Sequence, residues 1–92
     1  MNYLIDFSDE ASEGVHKHRK SGDKQAINKL NQLINELREN PTTGTGKPKR
    51  LTGVGGNQWS RRITDKHRLK YEIFEDTGIV EVLQTWGHYY DK

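Results

Sequence analysis

The sequence predicts an α+β fold in the order β-α-α-β-β-β. An antiparallel sheet of about four strands would carry two N-terminal helices on one face. Three patterns lead there. Ala26, Ile27, Leu30, Leu33, Ile34 and Leu37 recur at spacings of three and four, one apolar helical stripe. In Leu69-Lys70-Tyr71-Glu72-Ile73 the odd positions are apolar and the even ones charged, the mark of a strand with one solvated face. Glu75-Asp76-Thr77-Gly78 then separates two β-rich runs by a length that suits an antiparallel hairpin. At 92 residues, the chain reads as one domain, residues 1–92.

The elements follow in order. Tyr3-Leu4-Ile5-Asp6-Phe7 is a short β-rich run, the first strand. Ser8-Asp9-Glu10 supplies an N-cap and first-turn acids for a helix ending near Ser21-Gly22. That helix is weakly specified, because Gly14 sits inside it and few apolar residues support it. Asp23 can cap the second helix. Asn40-Pro41 stops it, since a residue before proline is pushed out of the α region. Its leucine stripe reads as core packing and is too short to argue a coiled-coil seam. Residues 42–58 are glycine-rich and read as loops around a short basic segment, Pro48 to Leu51. Three strands are expected after them, Trp59 to Thr64, Arg68 to Phe74 and Ile79 to Trp86.

Composition narrows the function. Thirty per cent of residues are hydrophobic and 30% charged. That is lean for a small core, and it suggests that a partner covers part of the surface. The absence of cysteine rules out disulfides, thiolate metal sites and a cysteine nucleophile. MNYLIDFSDE has no basic region ahead of an apolar run, so it does not read as a secretory signal. Nothing approaches the roughly 20 apolar residues of a membrane span, and the cytoplasm is the expected compartment. The net charge of +2 hides an asymmetry: Lys47 to Lys70 holds eight basic residues against one acid, Asp65. Such a block is the footprint of a polyanion site, or else a solvated face with scattered bases.

The stretch TGTGKPKRL, Thr43 to Leu51, suggests a phosphate-binding loop at first sight. A P-loop needs G-x-x-x-x-G-K-[ST] between a strand and a helix. Here Pro48 follows Gly46-Lys47, Pro41 stands five before Gly46, and no helical pattern comes next, which excludes it. No metal site is expected. His16 and His18, two apart on the first helix, point to different sides and read as surface residues, while His67 and His88 lack a carboxylate cluster. In Trp59-Ser60-Arg61-Arg62 the adjacent arginines would face opposite sides of a strand, so one faces the sheet's working surface. Arg68 opens the next strand and His88-Tyr89-Tyr90 follows the last. Such a set could cleave RNA without metal. A guanidinium would hold the phosphate, an imidazolium would protonate the leaving 5′-oxygen, a phenol would orient it, and the RNA's 2′-hydroxyl would attack. On spacing alone, the terminal His-Tyr pair reads more readily as structural.

Four ordered motifs change that balance. Gly46-Lys47-Pro48-Lys49-Arg50-Leu51, Trp59-Ser60-Arg61-Arg62-Ile63, His67-Arg68-Leu69-Lys70-Tyr71 and Gly87-His88-Tyr89 together resemble the YoeB/Txe branch of the RelE-like toxins. The resemblance implies a RelE-like microbial RNase fold and the toxin of a type II toxin–antitoxin pair. It implies a ribosome-dependent endoribonuclease that cuts mRNA in the ribosomal A site without a cofactor. It implies a cognate antitoxin that wraps the toxin, contacts with ribosomal RNA, no membrane, and a possible homodimer. By match to its motifs, Arg68 is the phosphate-stabilising arginine, His88 the general acid and Tyr89 the residue that positions the scissile phosphate. Lys47, Arg50, Arg61, Arg62 and Lys66 are the basic positions expected to face RNA. One position departs. The family motif is normally G-K-P-E, with the glutamate as general base, and here that place is taken by Lys49. A lysine with its ordinary pKa of about 10.4 is in the wrong state for a base at neutral pH. Lys49 could serve after deprotonation or by stabilising the attacking alkoxide. The alternative is a ribosome- or RNA-binding protein that blocks translation without cutting. A third reading is an interaction protein that mainly pairs with its antitoxin.

Overall fold

The computed structural model describes residues 2–87. The chain runs β1 (Leu4–Phe7), α1 (Asp9–Ser21), α2 (Lys24–Leu37), β2 (Lys49–Arg50), β3 (Gln58–Arg62), β4 (Arg68–Phe74) and β5 (Ile79–Gln84). The expected α+β class and element order hold, and both helices fall where their caps place them. The Ser8 hydroxyl accepts from the Ala11 amide at 3.0 Å, and the Asp23 carboxylate accepts from the Ala26 amide at 3.1 Å. Gly22 closes α1 in the left-handed conformation at φ 73°, which a residue without Cβ adopts freely. α2 ends at Leu37, ahead of Asn40-Pro41. Arg38 and Glu39 donate to the carbonyls of Asn35 and Glu36, so the last turn tightens before the proline is reached.

The sheet differs in two ways from the expected antiparallel sheet of about four strands. It has five strands in the order β1-β5-β4-β3-β2, and β1 pairs with β5 in parallel while the other pairs are antiparallel. The extra strand β2 is only two residues long, too short for alternation to reveal it, and it lies in the short basic segment, Pro48 to Leu51, that loops were expected to flank. The parallel pair joins the first and last strands, and its register is set across the molecule. Ile5 lies beside Val80 and Phe7 beside Val82, which puts their side chains on the helix-covered face.

That face holds the core. Leu30, Leu33 and Leu37 of α2 and Ala11 of α1 pack with Leu69, Tyr71, Ile73, Val80 and Val82 of the sheet, all buried. Alternation therefore sends Arg68, Lys70 and Glu72 to the other face, which the helices leave open. Gly14, which weakens α1 by propensity, has a packing role. A Cβ there would collide with Thr85 Oγ1 and stand 3.1 Å from Trp86 Cβ, so glycine lets α1 lie directly on the end of β5.

Candidate functional site

The open face carries its basic residues in two neighbouring rows. In one, Lys49 of β2 lies opposite Ser60 of β3, and Ser60 opposite Lys70 of β4. In the next, Arg62 lies directly opposite Arg68. Opposed side chains on one face stand about 5 Å apart at Cβ, and like charges so placed destabilise a sheet. An anion seated between or above the two charges would relieve that repulsion. Ser60, between Lys49 and Lys70 in the first row, is 4% exposed. Arg62 makes one long ion pair with exposed Asp65, at 3.5 Å. Arg68 donates from Nη1 to the Thr64 carbonyl at 3.2 Å.

Arg61 is not on this face, which corrects its expected role in RNA contact. It is fully buried, and all five of its N–H groups are used. Nε donates to the Tyr71 hydroxyl at 3.1 Å. Nη1 donates to Glu36 Oε1 at 2.8 Å and the Thr45 carbonyl at 3.3 Å. Nη2 donates to the carbonyls of Asn40 and Thr43 at 2.5 and 2.9 Å. The Tyr71 hydroxyl in turn donates to the Pro41 carbonyl at 2.5 Å. Strand alternation sends only one of two adjacent arginines to the open face, and Arg62 is that one.

The buried arginine instead fixes the loop that leads into the GKPK stretch. Glu36 completes this frame: its carboxylate accepts from the Thr45 amide and hydroxyl at 2.8 and 2.7 Å. Burial alone would raise the Glu36 carboxyl, but the Thr45 and Gln32 hydrogen bonds and the Arg61 charge outweigh it and hold the group below its usual range. Burial raises the Tyr71 phenol, and the Arg61 bond and charge offset part of that rise. The Gly46 carbonyl then accepts from the Arg62 amide at 2.7 Å. Gly46 has φ 85°, and a Cβ there would press on Arg62 O and Arg61 Cβ at 3.0 and 3.1 Å. The glycine of the Gly-Lys pair thus docks the loop on β3 and starts Lys49 on the open face.

The other expected residues are placed as follows. Lys47 is exposed at φ 54°. Arg50 is exposed but, one residue from Lys49, lies on the opposite side of its strand. Lys66 is exposed in the turn between β3 and β4. Lys49, Arg62 and Arg68 are brought to one face. His88 and Tyr89 lie outside the described residues. Gly87, the last residue described, accepts from the Arg68 amide at 2.9 Å.

The histidines of α1 divide. His16 is exposed as expected, whereas His18 is 1% exposed, which corrects its reading as a surface residue. His18 Nε2 donates to the Thr85 carbonyl at 2.6 Å, and its ring meets those of His67 and Trp86 edge-on, each at 4.9 Å. A signal existed: Ala11, Gly14 and His18 repeat at three and four, a stripe of small and polar residues that a search for apolar ones passes over. Among the described residues no group of three or more His, Cys, Asp or Glu side chains could hold a metal, and no helix is long and apolar enough to cross a membrane.

A family model, YoeB-like toxin of bacterial type II toxin-antitoxin system, matches residues 7–89. The chain is 41% identical over 58 residues to Toxin YoeB of Escherichia coli strain K12, covering 63% of this chain and 69% of that toxin. It superposes on a YoeB/ParE toxin from Agrobacterium tumefaciens with a TM-score of 0.82 and 30% identity, over 94% of this chain and 99% of the other. It also superposes on a chain of a YoeB-YefM complex from Staphylococcus aureus with a TM-score of 0.74 and 29% identity, over 97% and 100%. The RelE-like fold expected from the four motifs is the fold of these neighbours.

Proposed function

The chain belongs to the YoeB-like toxins of bacterial type II toxin–antitoxin systems, and from that premise we propose that it is a ribosome-dependent endoribonuclease acting on mRNA. The observation that carries this reading is the Arg62–Arg68 pair, opposed on an open face beside Lys49 and Lys70. Like charges so opposed disfavour a sheet, and a polyanion bound across them would offset that cost. In the proposed reaction the 2′-hydroxyl of the message gives up its proton to solvent water, and its oxygen attacks the adjacent phosphorus with Lys49 beside it. Arg68 neutralises the charge gained by the pentacoordinate phosphorane. The bond to the 5′-oxygen breaks, and that oxygen takes a proton from His88. The products are a 2′,3′-cyclic phosphate and a free 5′-hydroxyl, with Tyr89 orienting the phosphate.

Lys49 supports a second reading. The family motif places a glutamate base there, and an exposed lysine beside Ser60 and Lys70 favours binding the phosphate over deprotonating the hydroxyl. A protein so equipped would occupy the ribosome and stall it with the message intact. Primer extension on ribosome-bound mRNA separates the two. Discrete A-site ends that vanish in Arg68→Ala and His88→Ala are the expected result, each substitution slowing cleavage by roughly a hundredfold or more. A stalled but uncut message favours the second reading. Lys49→Glu decides how the lysine works: a large gain in cleavage means that Lys49 hinders the reaction, and a loss means that it is the working group. A cognate antitoxin is the proposed partner and the cytoplasm the proposed compartment. The lean core and exposed Leu4, Phe7 and Phe74 suit a chain that a second protein covers.

A further inference from the structure

Three consecutive residues just after β5 are clamped in ways that the reading above leaves unused. Thr85 is fully buried. Its carbonyl accepts from His18 Nε2, and its hydroxyl donates to the Ala11 carbonyl at 2.8 Å. The Trp86 ring contacts His18 at 4.9 Å and His67 at 4.2 Å between centroids. Gly87 is held from both sides: its carbonyl accepts from the Arg68 amide, and its amide donates to His67 Nδ1 at 2.8 Å. His67 is itself fixed in a tight turn, with its carbonyl accepting from the amides of Ile63 and Thr64 and its amide reaching Thr64 Oγ1.

We propose that His67 is a positioning residue whose Nδ1 anchors Gly87 and so sets where the chain enters His88 and Tyr89. The inference rests on the RNA-cleaving reading, because only there do the residues after Gly87 meet a reacting phosphate. Accepting from an amide requires Nδ1 to be unprotonated, so the ring acts here as a neutral imidazole with its proton on Nε2. Gly87 has φ 86°, a conformation open to several alternatives in a glycine, so local backbone preference alone does not hold it. The two hydrogen bonds do. One of them comes from Arg68, the residue that would bind the phosphate. The Arg68 backbone and the residue that leads into His88 therefore share one frame, with His67 as its second support. Errors of about 1 Å in such a frame can slow a reaction roughly a hundredfold.

Two substitutions separate the acceptor from the ring. In His67→Asn the amide oxygen takes the place of Nδ1 while the ring is lost. In His67→Phe the ring remains against Trp86 and His18 while the acceptor is lost. Full-length proteins would be compared by single-turnover cleavage of ribosome-bound mRNA and by hydrogen exchange of the Gly87 amide, using NMR of protein labelled with 15N-glycine. The expected result is that His67→Asn cleaves within about threefold of the unsubstituted protein while His67→Phe is slower by roughly a hundredfold. Gly87 exchange in His67→Phe should be faster by about tenfold, the size of one lost hydrogen bond. Cleavage in His67→Phe as fast as in the unsubstituted protein, or equal losses in both variants, overturns the proposal. If the unsubstituted protein leaves the message uncut, the RNA-cleaving reading has failed. The exchange comparison then decides whether His67 anchors Gly87: unchanged exchange in His67→Phe overturns that anchoring too.

Discussion

Arg61 and Arg62 are neighbours in sequence and do opposite work. Arg62 stands on the open face beside another arginine; Arg61 is buried, with five donors matched to a carboxylate, a phenol and three backbone carbonyls. A lysine could not replace it, having three donors and no planar fork. The Glu36 carboxylate that receives it also ties down Thr45, so one ion pair organises the approach to Gly46 and Lys49. This pair predicts a pH response. Because the folded protein holds Glu36 below the ordinary carboxylate value, its stabilisation is fully present above the unfolded value of about 4.3. It is lost as pH falls through the lower folded value. Glu36→Gln keeps an acceptor and removes the charge, so it should be less stable at pH 7 by about 1–2 kcal/mol. Urea unfolding of both proteins from pH 7 to pH 3 checks this: the gap should close at the acid end, and a constant gap would refute it.

At the scale of elements, α1 makes the sharper case because two effects oppose each other. Propensity says that Gly14→Ala should stabilise a helix by about 1 kcal/mol. Packing says that the new methyl meets Thr85 Oγ1 and Trp86, disturbing the Thr85–Ala11 hydrogen bond and overfilling a closed contact at a cost of about 1–3 kcal/mol. The contact is with backbone and a buried side chain, neither of which can move away, so packing should win. Thermal unfolding should show a lower midpoint for Gly14→Ala, by several degrees for each kcal/mol in a domain of this size. Gly55→Ala, with open space around it, should leave the midpoint unchanged, and a raised midpoint in Gly14→Ala would contradict the argument. What the sequence disclosed follows the same division between local and distant causes. The caps Ser8 and Asp23, the α2 stripe and the β4 alternation are local patterns, and each was legible. Gly14 and His18 answer to Thr85, some 70 residues away, and no local pattern names that partner. β2 is two residues long and escapes any test of periodicity. Alternation does assign Arg61 and Arg62 to opposite faces, but which one goes inside depends on Glu36 and Tyr71, which only the fold brings near.

Over the whole molecule the open face is graded. Along β4 the outward residues run Arg68, Lys70, Glu72, Phe74. Their register partners extend each row: Arg62 beside Arg68, Lys49 and Ser60 beside Lys70, Gln58 and Glu81 beside Glu72, and Ile79 and Leu4 beside Phe74. A net charge of only +2 therefore conceals a face that is basic at one end, acidic in the middle and apolar at the other end. A polyanion should be confined to the first two rows, where Lys49, Arg62, Arg68 and Lys70 offer four contacts. That number can be measured through salt. For single strands the logarithm of affinity falls by about 0.7 per contact for each tenfold rise in salt. Four contacts then mean roughly a fifty-fold loss between about 50 and 200 mM, and three contacts roughly a twenty-fold loss. Binding of a short single-stranded RNA, followed by fluorescence anisotropy across that range, should give the steeper dependence for the unsubstituted protein and the shallower one for Arg62→Ala. Lys20, exposed on α1, serves as the control, and Lys20→Ala should keep the steeper dependence. If Lys20→Ala flattens the slope as much as Arg62→Ala does, the charge acts diffusely over the whole surface and the two rows are not where the RNA lies.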